Sequence, residues 1–329
     1  MNTTYIRSDG FLRYDYRKHN LMKMKCFPLL YLLGLVLVLG CSTDSNDNGP
    51  ETPKVVDKTP NRQGTGDSAV DLLSNETYTN LRIEIAYVKD FRPTQEAMDE
   101  FAAYLKQRTF KEKVDLVYNE LASPKKDSLT LDEIADLEEE NRTLYNDGKT
   151  LAIYIYFSDS PAEEDDPKND LVTLGAVYRN TSMIIHEATV RKLADQSIFI
   201  SYADVESSTL NHEFGHLFGL VNLGITPVND HEDVQKDDMG EPILDAQGKT
   251  SGNSHCNVAG CLMNAELQFG GGSAKSASLT AKNENGLKAG CRLTGKSVLK
   301  MLSSQTAKGG LAPDLDSECI LDLQTNGGR

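Results

Sequence analysis

The sequence predicts an α+β fold: a mixed, twisted sheet with helices packed on it, then a smaller, irregular C-terminal subdomain. Three observations predict it. Runs rich in β-formers at 81–88, 113–118 and 151–157 alternate with stretches of helical period. Residues 204–221 carry a long apolar face at helical spacing, interrupted by His212, Glu213 and His216. Beyond residue 222 the periodicity gives way to an acidic, glycine-containing stretch. At 329 residues, with 39% hydrophobic and 25% charged side chains, the chain can bury a substantial core. Its net charge of −15, with no basic stripe to offset it, argues against nucleic acid as a partner.

The first forty residues read as an address. Residues 26–40 form an apolar run of fifteen, preceded by Lys23 and Lys25; that is short for a membrane span and right for a signal-peptide core. Residues 1–21 carry Arg7, Arg13, Arg17 and Lys18 without an apolar face, so Met22 or Met24 makes the more usual start. Val38, Leu39, Gly40 and Cys41 resemble a bacterial lipobox, which implies cleavage before Cys41 and lipidation of its thiol. Residues 42–80, rich in Ser, Thr, Asp, Asn, Pro and Gly, read as a flexible tether. The segment Ser42–Asp47 is similar to the acidic stretch after the cysteine in surface lipoproteins of the Bacteroidetes. The expectation is an exported protein, lipid-anchored to the cell envelope at the outer membrane.

The N-terminal part of the domain, 81–222, follows in order. A strand over 81–88 leads to a helix at 94–108 with Ala97, Phe101, Ala102 and Leu105 on one face. A strand over 113–118 precedes a helix from Thr130, whose capping box with Glu133 starts it and whose stripe carries it to about residue 146. The continuous apolar run 151–157 reads as a central strand. Residues 174–178 and 182–186 flank a turn at 179–181 and predict a hairpin, and 198–200 predicts one more short strand. His186, on a strand, reads as structural. Ser201 with Asp204 caps the next helix, which buries Val205, Leu210, Phe214, Leu217, Phe218 and Val221.

That helix carries His212-Glu213-Phe214-Gly215-His216-Leu217-Phe218-Gly219, of the form H-E-x-x-H-x-x-G. One helical turn separates the two histidines, so both imidazoles face one ion, and Glu213 stands beside them as a general base. Further on comes His255-Cys256, four residues, Cys261-Leu262-Met263. Together the two motifs resemble the metzincin zinc peptidases, and the archaemetzincins in particular. The resemblance implies a zincin-like fold, zinc held by His212, His216 and His255, Glu213 as catalytic base, and Met263 in a Met-turn beneath the histidines. It also implies a sheet edge at 175–178 that pairs with an extended peptide or protein substrate.

The chain departs from that pattern in several places. The metzincin third histidine would fall at Asn222, a poor zinc ligand, so the site must be completed across the insertion 223–254. His231, inside that insertion, rivals His255 as third ligand. The acidic residues Asp230, Glu232, Asp233, Asp237, Asp238 and Glu241 read as a solvated loop ahead of a calcium site. The archaemetzincins complete a second metal site with a later C-x-x-C, which is missing here. Cys256, Cys261, Cys291 and Cys319 in an exported chain predict disulfides, with Cys256–Cys261 and Cys291–Cys319 the favoured pairing. Some metzincins carry a Tyr two places after the Met; here that position is Ala265. A helix at 294–304 with Val298, Leu299 and Leu302 closes the C-terminal subdomain, 223–329. The function expected is that of a zinc endopeptidase anchored as a lipoprotein; the alternatives are a catalytically silent scaffold lipoprotein that kept the fold and a zinc amidase acting on the cell wall.

Overall fold

The computed structural model describes residues 56–166, 168, 171–235, 239, 241–264, 293–294 and 313–329. The chain divides into Met1–Lys54 and Val55–Arg329, and every described residue belongs to the second unit. The signal sequence, Cys41, Ala265, Cys291 and, apart from Thr294, the helix expected at 294–304 lie outside the described residues; Thr294 itself is in a short strand.

A five-stranded sheet organises the unit. Its strands are β1 (Asn80–Val88), β2 (Lys113–Leu121), β3 (Thr150–Phe157), β5 (Gly175–Arg179) and β6 (Ser182–Ile185), in the order β2-β1-β3-β6-β5. β2, β1, β3 and β6 run parallel; β5 turns back antiparallel to β6 and forms one edge. A short β4 (Leu171–Val172) pairs with β9 (Leu293–Thr294) outside this sheet.

Alternation along β3 shows how the sheet divides the core. Leu151, Ile153, Ile155 and Phe157 face a large cluster with Met98 and Phe101 of α2 (Gln95–Arg108) and Phe214 and Leu217 of α5 (Tyr202–Leu217). Tyr154 and Tyr156 face a smaller cluster with Ile134 and Ala135 of α3 (Leu131–Asn141). Both faces are covered, which is why β3 reads as one unbroken apolar run.

Four boundaries differ from the sequence expectation. The stretch assigned to a tether is folded from Asp57 on: a 3-10 turn Thr59–Asn61 and helix α1 (Ala69–Leu73) bury Asn61, Leu72 and Leu73. Asn61 Nδ2 donates to Asn146 Oδ1 at 2.8 Å and to the Ala152 carbonyl at 3.0 Å. A five-residue helix is too short to leave a periodic signature. Helix α3 stops at Asn141 because buried Glu84 takes the backbone N–H groups of Thr143 (2.9 Å) and Leu144 (2.8 Å), which a continued helix would need. The strand expected at 198–200 does not form: Ile198 and Phe199 are 92% and 71% exposed, in the bend between α4 (Glu187–Ala194) and α5. Helix α4 itself follows directly on β6 and was hidden by its neighbouring apolar run. Here Glu187 and Glu206 meet, with Arg191 Nε donating to Glu187 at 2.6 Å; burial, then the Glu206 charge, raise the Glu187 carboxyl to about 9.

Within the insertion, β7 (Glu232–Val234) pairs antiparallel with β8 (Gly252–Cys256), and a terminal helix α6 (Ser317–Thr325) docks its Cys319 and Leu323 into the main core. Among the described residues no helix is long and apolar enough to cross a membrane.

Candidate metal centre

Helix α5 begins as its sequence dictates. Ser201 Oγ accepts the Asp204 N–H at 3.2 Å while the Asp204 carboxylate accepts the Ser201 N–H at 2.7 Å, a reciprocal cap. From Val205 to Leu217 every residue of the helix is buried, so His212, Glu213 and His216 sit inside the molecule. Their ring centroids, His212 to His216, are 4.9 Å apart.

Two glycines make room. A Cβ on Gly215 would meet Met263 Sδ at 2.2 Å, so Met263 packs directly against the helix backbone between the two histidines. A Cβ on Gly175, in the edge strand β5, would meet Glu213 Cγ at 2.7 Å. Glu213 thus lies against the sheet edge, where it accepts the Val177 N–H. After the helix, Gly219, Val221 and Asn222 all take positive φ (76°, 55° and 62°) and send the chain away from the helix axis. Asn222 does not face the histidines: its side-chain amide donates to Glu232 Oε2 at 2.5 Å.

The β7–β8 hairpin folds the insertion back and delivers His255. Its ring centroid stands 5.4 Å from that of His212 and 5.1 Å from that of His216. His212 Nδ1–H donates to the Leu262 carbonyl at 2.7 Å, and His255 Nδ1–H donates to the Asn253 carbonyl at 2.8 Å. Carbonyls only accept, so each bond fixes the tautomer and leaves Nε2 as a lone pair. His212 Nε2, His255 Nε2, both nitrogens of His216 and Glu213 Oε2 are buried without a partner among the described residues.

The electrostatics follow from burial. It pushes His212 down; it pushes His216 well below its ordinary value, with the neighbouring His212 and His255 adding to the effect; and it brings His255 to about 3, with His212 adding. Burial raises Glu213 to about 8, against the Val177 hydrogen bond, which favours the anion. Unpartnered buried imidazole nitrogens are costly unless something binds them. Three of them, one from each ring, lie within 4.8 Å of one another. Neutral imidazoles in this arrangement fit one divalent metal ion.

His231 stands elsewhere. Its Nε2 hydrogen-bonds to Asp322 Oδ2 at 2.8 Å and its Nδ1 lies 3.3 Å from Cys256 Sγ, in a second group with Asp316 and Cys319. The expected Cys256–Cys261 staple is not formed: Cys256, Cys261 and Cys319 are free thiols. Cys256 instead donates to Asp316 Oδ2 at 2.9 Å, and Cys261 lies 3.7 Å from Cys319. Proximity in sequence favoured the short pairing, but β8 aims Cys256 at the C-terminal helix. The chain therefore holds two groups of side chains able to bind a metal ion among the described residues. Of this second group, sequence singles out His231 as a rival zinc ligand and Cys256 and Cys319 as disulfide partners, and misses Asp316, whose place three residues ahead of Cys319 at the start of α6 was the available signal.

Neither a family model nor a characterised protein sequence matches the chain. Among solved structures, it is similar to the crystal structure of archaemetzincin from Methanopyrus kandleri. The two are 15% identical, the match covers 78% of this chain and 98% of that chain, and the TM-score is 0.41. His186, read as structural, is buried and hydrogen-bonds through Nδ1 to the Ser160 carbonyl at 2.9 Å, away from both groups.

Proposed function

We propose that the chain is a zinc-dependent endopeptidase carried on the cell envelope by a lipid at Cys41. The convergence of His212, His216 and His255, each offering a buried and unpartnered nitrogen, carries the reading. A zinc ion held there supplies Lewis-acid polarisation of a carbonyl and lowers the pKa of water.

The residues supply the rest. The carbonyls of Leu262 and Asn253 hold the His212 and His255 rings with Nε2 facing inward. Met263, pressed against Gly215, forms an apolar floor that keeps the rings from swinging down. Glu213, one residue from His212 and steadied by the Val177 N–H, is the general base: it accepts a proton from the attacking water and passes it to the leaving amine. The position of β5 at the edge of the sheet among the described residues, beside Glu213, supports an extended peptide as substrate, since main-chain pairing there would lay a peptide bond next to the base.

The test is a peptide-library cleavage assay with metal analysis on residues 42–329, comparing wild type with Glu213→Gln. Cleavage is expected to require zinc and to fall by roughly 10²–10⁴-fold in the variant, with zinc content unchanged. Stoichiometric zinc in a wild-type protein that cleaves nothing would leave the scaffold reading in its place. Cleavage of peptidoglycan stem peptides alone would favour the amidase. Mass spectrometry of the mature N-terminus tests the anchor: diacylated Cys41 is expected, and an unmodified Cys41 would refute it.

A further inference from the structure

Asn222 stands where the sequence resemblance calls for a third histidine, and its own contact leads back to the histidine that serves instead. We propose that Glu232, held by Asn222, is a positioning residue for the third metal ligand: its carboxylate fastens the exit of the histidine helix to the bulge of β8 that aims His255. This role rests on the three-histidine centre of the proposed peptidase, but not on cleavage.

The bulge comes first. Glu232 pairs with Cys256 and Val234 with Gly252, so Asp233 alone on β7 lies opposite Asn253, Ser254 and His255 on β8. Surplus residues on one strand interrupt the ladder and re-aim the side chains they carry. Ser254 takes the left-handed region at a φ of 62°, which few residues other than glycine adopt. His255, next along, turns toward the histidines of α5, its ring centroid 5.4 and 5.1 Å from theirs. Asn253 holds the near side of the bulge: its Oδ1 accepts the His255 N–H at 3.0 Å, and its carbonyl accepts His255 Nδ1–H at 2.8 Å.

The Glu232 carboxylate ties that bulge to the helix. Its Oε1 accepts the Ser254 N–H at 2.7 Å, and its Oε2 accepts the Asn222 side-chain amide at 2.5 Å. Hydrogen bonds to an ionised carboxylate are stronger than those between neutral groups. Here one carboxylate joins the turn after α5, strand β7 and the residue before His255. Space is reserved for it: a Cβ on Gly252 would meet the Glu232 carboxylate at 2.1–2.2 Å, so the strand passes over it with no side chain between. Asn222 holds its end at a φ of 62°, a conformation that asparagine adopts more readily than most residues.

An ordinary surface contact joins two side chains and ends there. This one uses both carboxylate oxygens and runs from the helix of His212 and His216 to the backbone beside His255. The centre needs all three imidazole nitrogens around one ion, yet the third comes from an insertion with its own short hairpin. A hairpin of that length holds its place weakly on its own strength. Glu232 sets the spacing between the two-histidine helix and the third ligand, as partners behind a metal ligand do elsewhere. The position that lost the third histidine thus anchors the segment that supplies it.

The test measures Zn²⁺ affinity of the full chain by competition with a chelating dye. The same proteins carrying His212→Ala/His216→Ala serve as blanks for zinc held elsewhere. Asn222→Gly keeps the left-handed turn and removes the amide; Asn222→Asp sets two carboxylates against each other. Both are expected to weaken zinc binding at the three-histidine centre by about 10–100-fold, and Asn222→Gly decides if Asn222→Asp is insoluble. Adding Glu232→Gln to Asn222→Asp restores the pair with roles exchanged: the amide oxygen takes the Ser254 N–H and the amide nitrogen donates to the new carboxylate. Affinity should return to within about threefold of wild type. Hydrogen exchange of the metal-free protein over 252–257 should quicken in Asn222→Asp and recover in the double variant, a readout that needs neither zinc nor cleavage. Asp245→Ala loosens the insertion at its far turn, where Oδ1 accepts the Gln247 and Lys249 N–H groups at 2.9 and 2.8 Å, and should leave zinc affinity unchanged. Wild-type affinity in the Asn222 variants, no recovery in the double variant, or an equal loss in Asp245→Ala would each overturn the proposal. The expected affinities in a protein that cleaves nothing would support it and count against the peptidase reading alone.

Discussion

Gly215 sits between the two helix histidines, and replacing it with alanine tests whether Met263 is part of the centre's architecture. In an exposed helix interior the change would stabilise by about 1 kcal/mol, because alanine loses less backbone freedom. Here the new Cβ would meet Met263 Sδ at 2.2 Å and Cε at 3.0 Å. Ordinary carbon–sulfur contact needs about 3.5 Å or more, so the sulfur must retreat by more than 1 Å. Met263 is fully buried, so its retreat presses on the core around it. Overpacking of this size costs about 1–3 kcal/mol, so Gly215→Ala is expected to destabilise by about 0–2 kcal/mol after the helix gain. The decisive variant is Gly215→Ala/Met263→Ala, in which the clash is gone. Met263→Ala alone should cost about 2–5 kcal/mol as a cavity, and adding Gly215→Ala should then recover part of that. Urea denaturation of the four proteins gives the coupling, expected at 1 kcal/mol or more. Additivity within about 0.5 kcal/mol would show that the helix and Met263 do not press on each other.

Other outcomes follow from the same contacts. Gly175→Ala drives a Cβ to 2.7 Å from Glu213 Cγ, so peptide cleavage should drop by tenfold or more while zinc content holds; unchanged kcat/KM would refute the close approach. Glu187, raised from 4.5 to about 9, binds more protons folded than unfolded, so its contribution is complete below pH 4.5 and is lost as pH rises toward 9. Glu187→Gln is therefore expected to raise the melting temperature at pH 8.5 and to change it little at pH 5.5; the reverse order would refute the assignment. Gly66→Ala places a Cβ 1.4 Å from the Leu223 carbonyl oxygen at a φ of 85°, and should destabilise by roughly 3 kcal/mol or more in a chemical melt. Chelation should lower the melting temperature of wild type more than that of His216→Ala, because only the former loses the three-histidine ion.

Where the sequence was legible, one local rule sufficed. β1, β2 and β3 are runs whose burial is set by period two or by cover on both faces, and the caps at Thr130 and Ser201 are satisfied within four residues. The motif on α5 was visible because a helix turn alone puts His212 and His216 together. The rest was set by distant partners. Glu84 ends α3 from another strand, Asn61 plugs the sheet end from a stretch whose composition reads as tether, and His231 is claimed by Asp322, 91 residues away. Sequence kept His231 and His255 as rivals since both follow the insertion's start. What separates them is the hairpin register, Glu232 against Cys256, which no spacing encodes.

The contact between Gly66 and Gly224 has a mechanical consequence. A Cβ on Gly224 would meet the Gly66 carbonyl oxygen at 2.5 Å, so the two backbones lie against each other with no side chain between them. Gly224 is five residues beyond the H-E-x-x-H-x-x-G glycine, at the exit of the histidine helix. Tension applied to the chain ahead of Asp57 therefore meets the Asn61 hold on β3 first and that exit turn directly after it. A protein cut back to residue 81 would lose the inner lining of the turn along with α1. The shortest stretch expected to keep the histidine helix in place begins before Asp57, well upstream of the first strand.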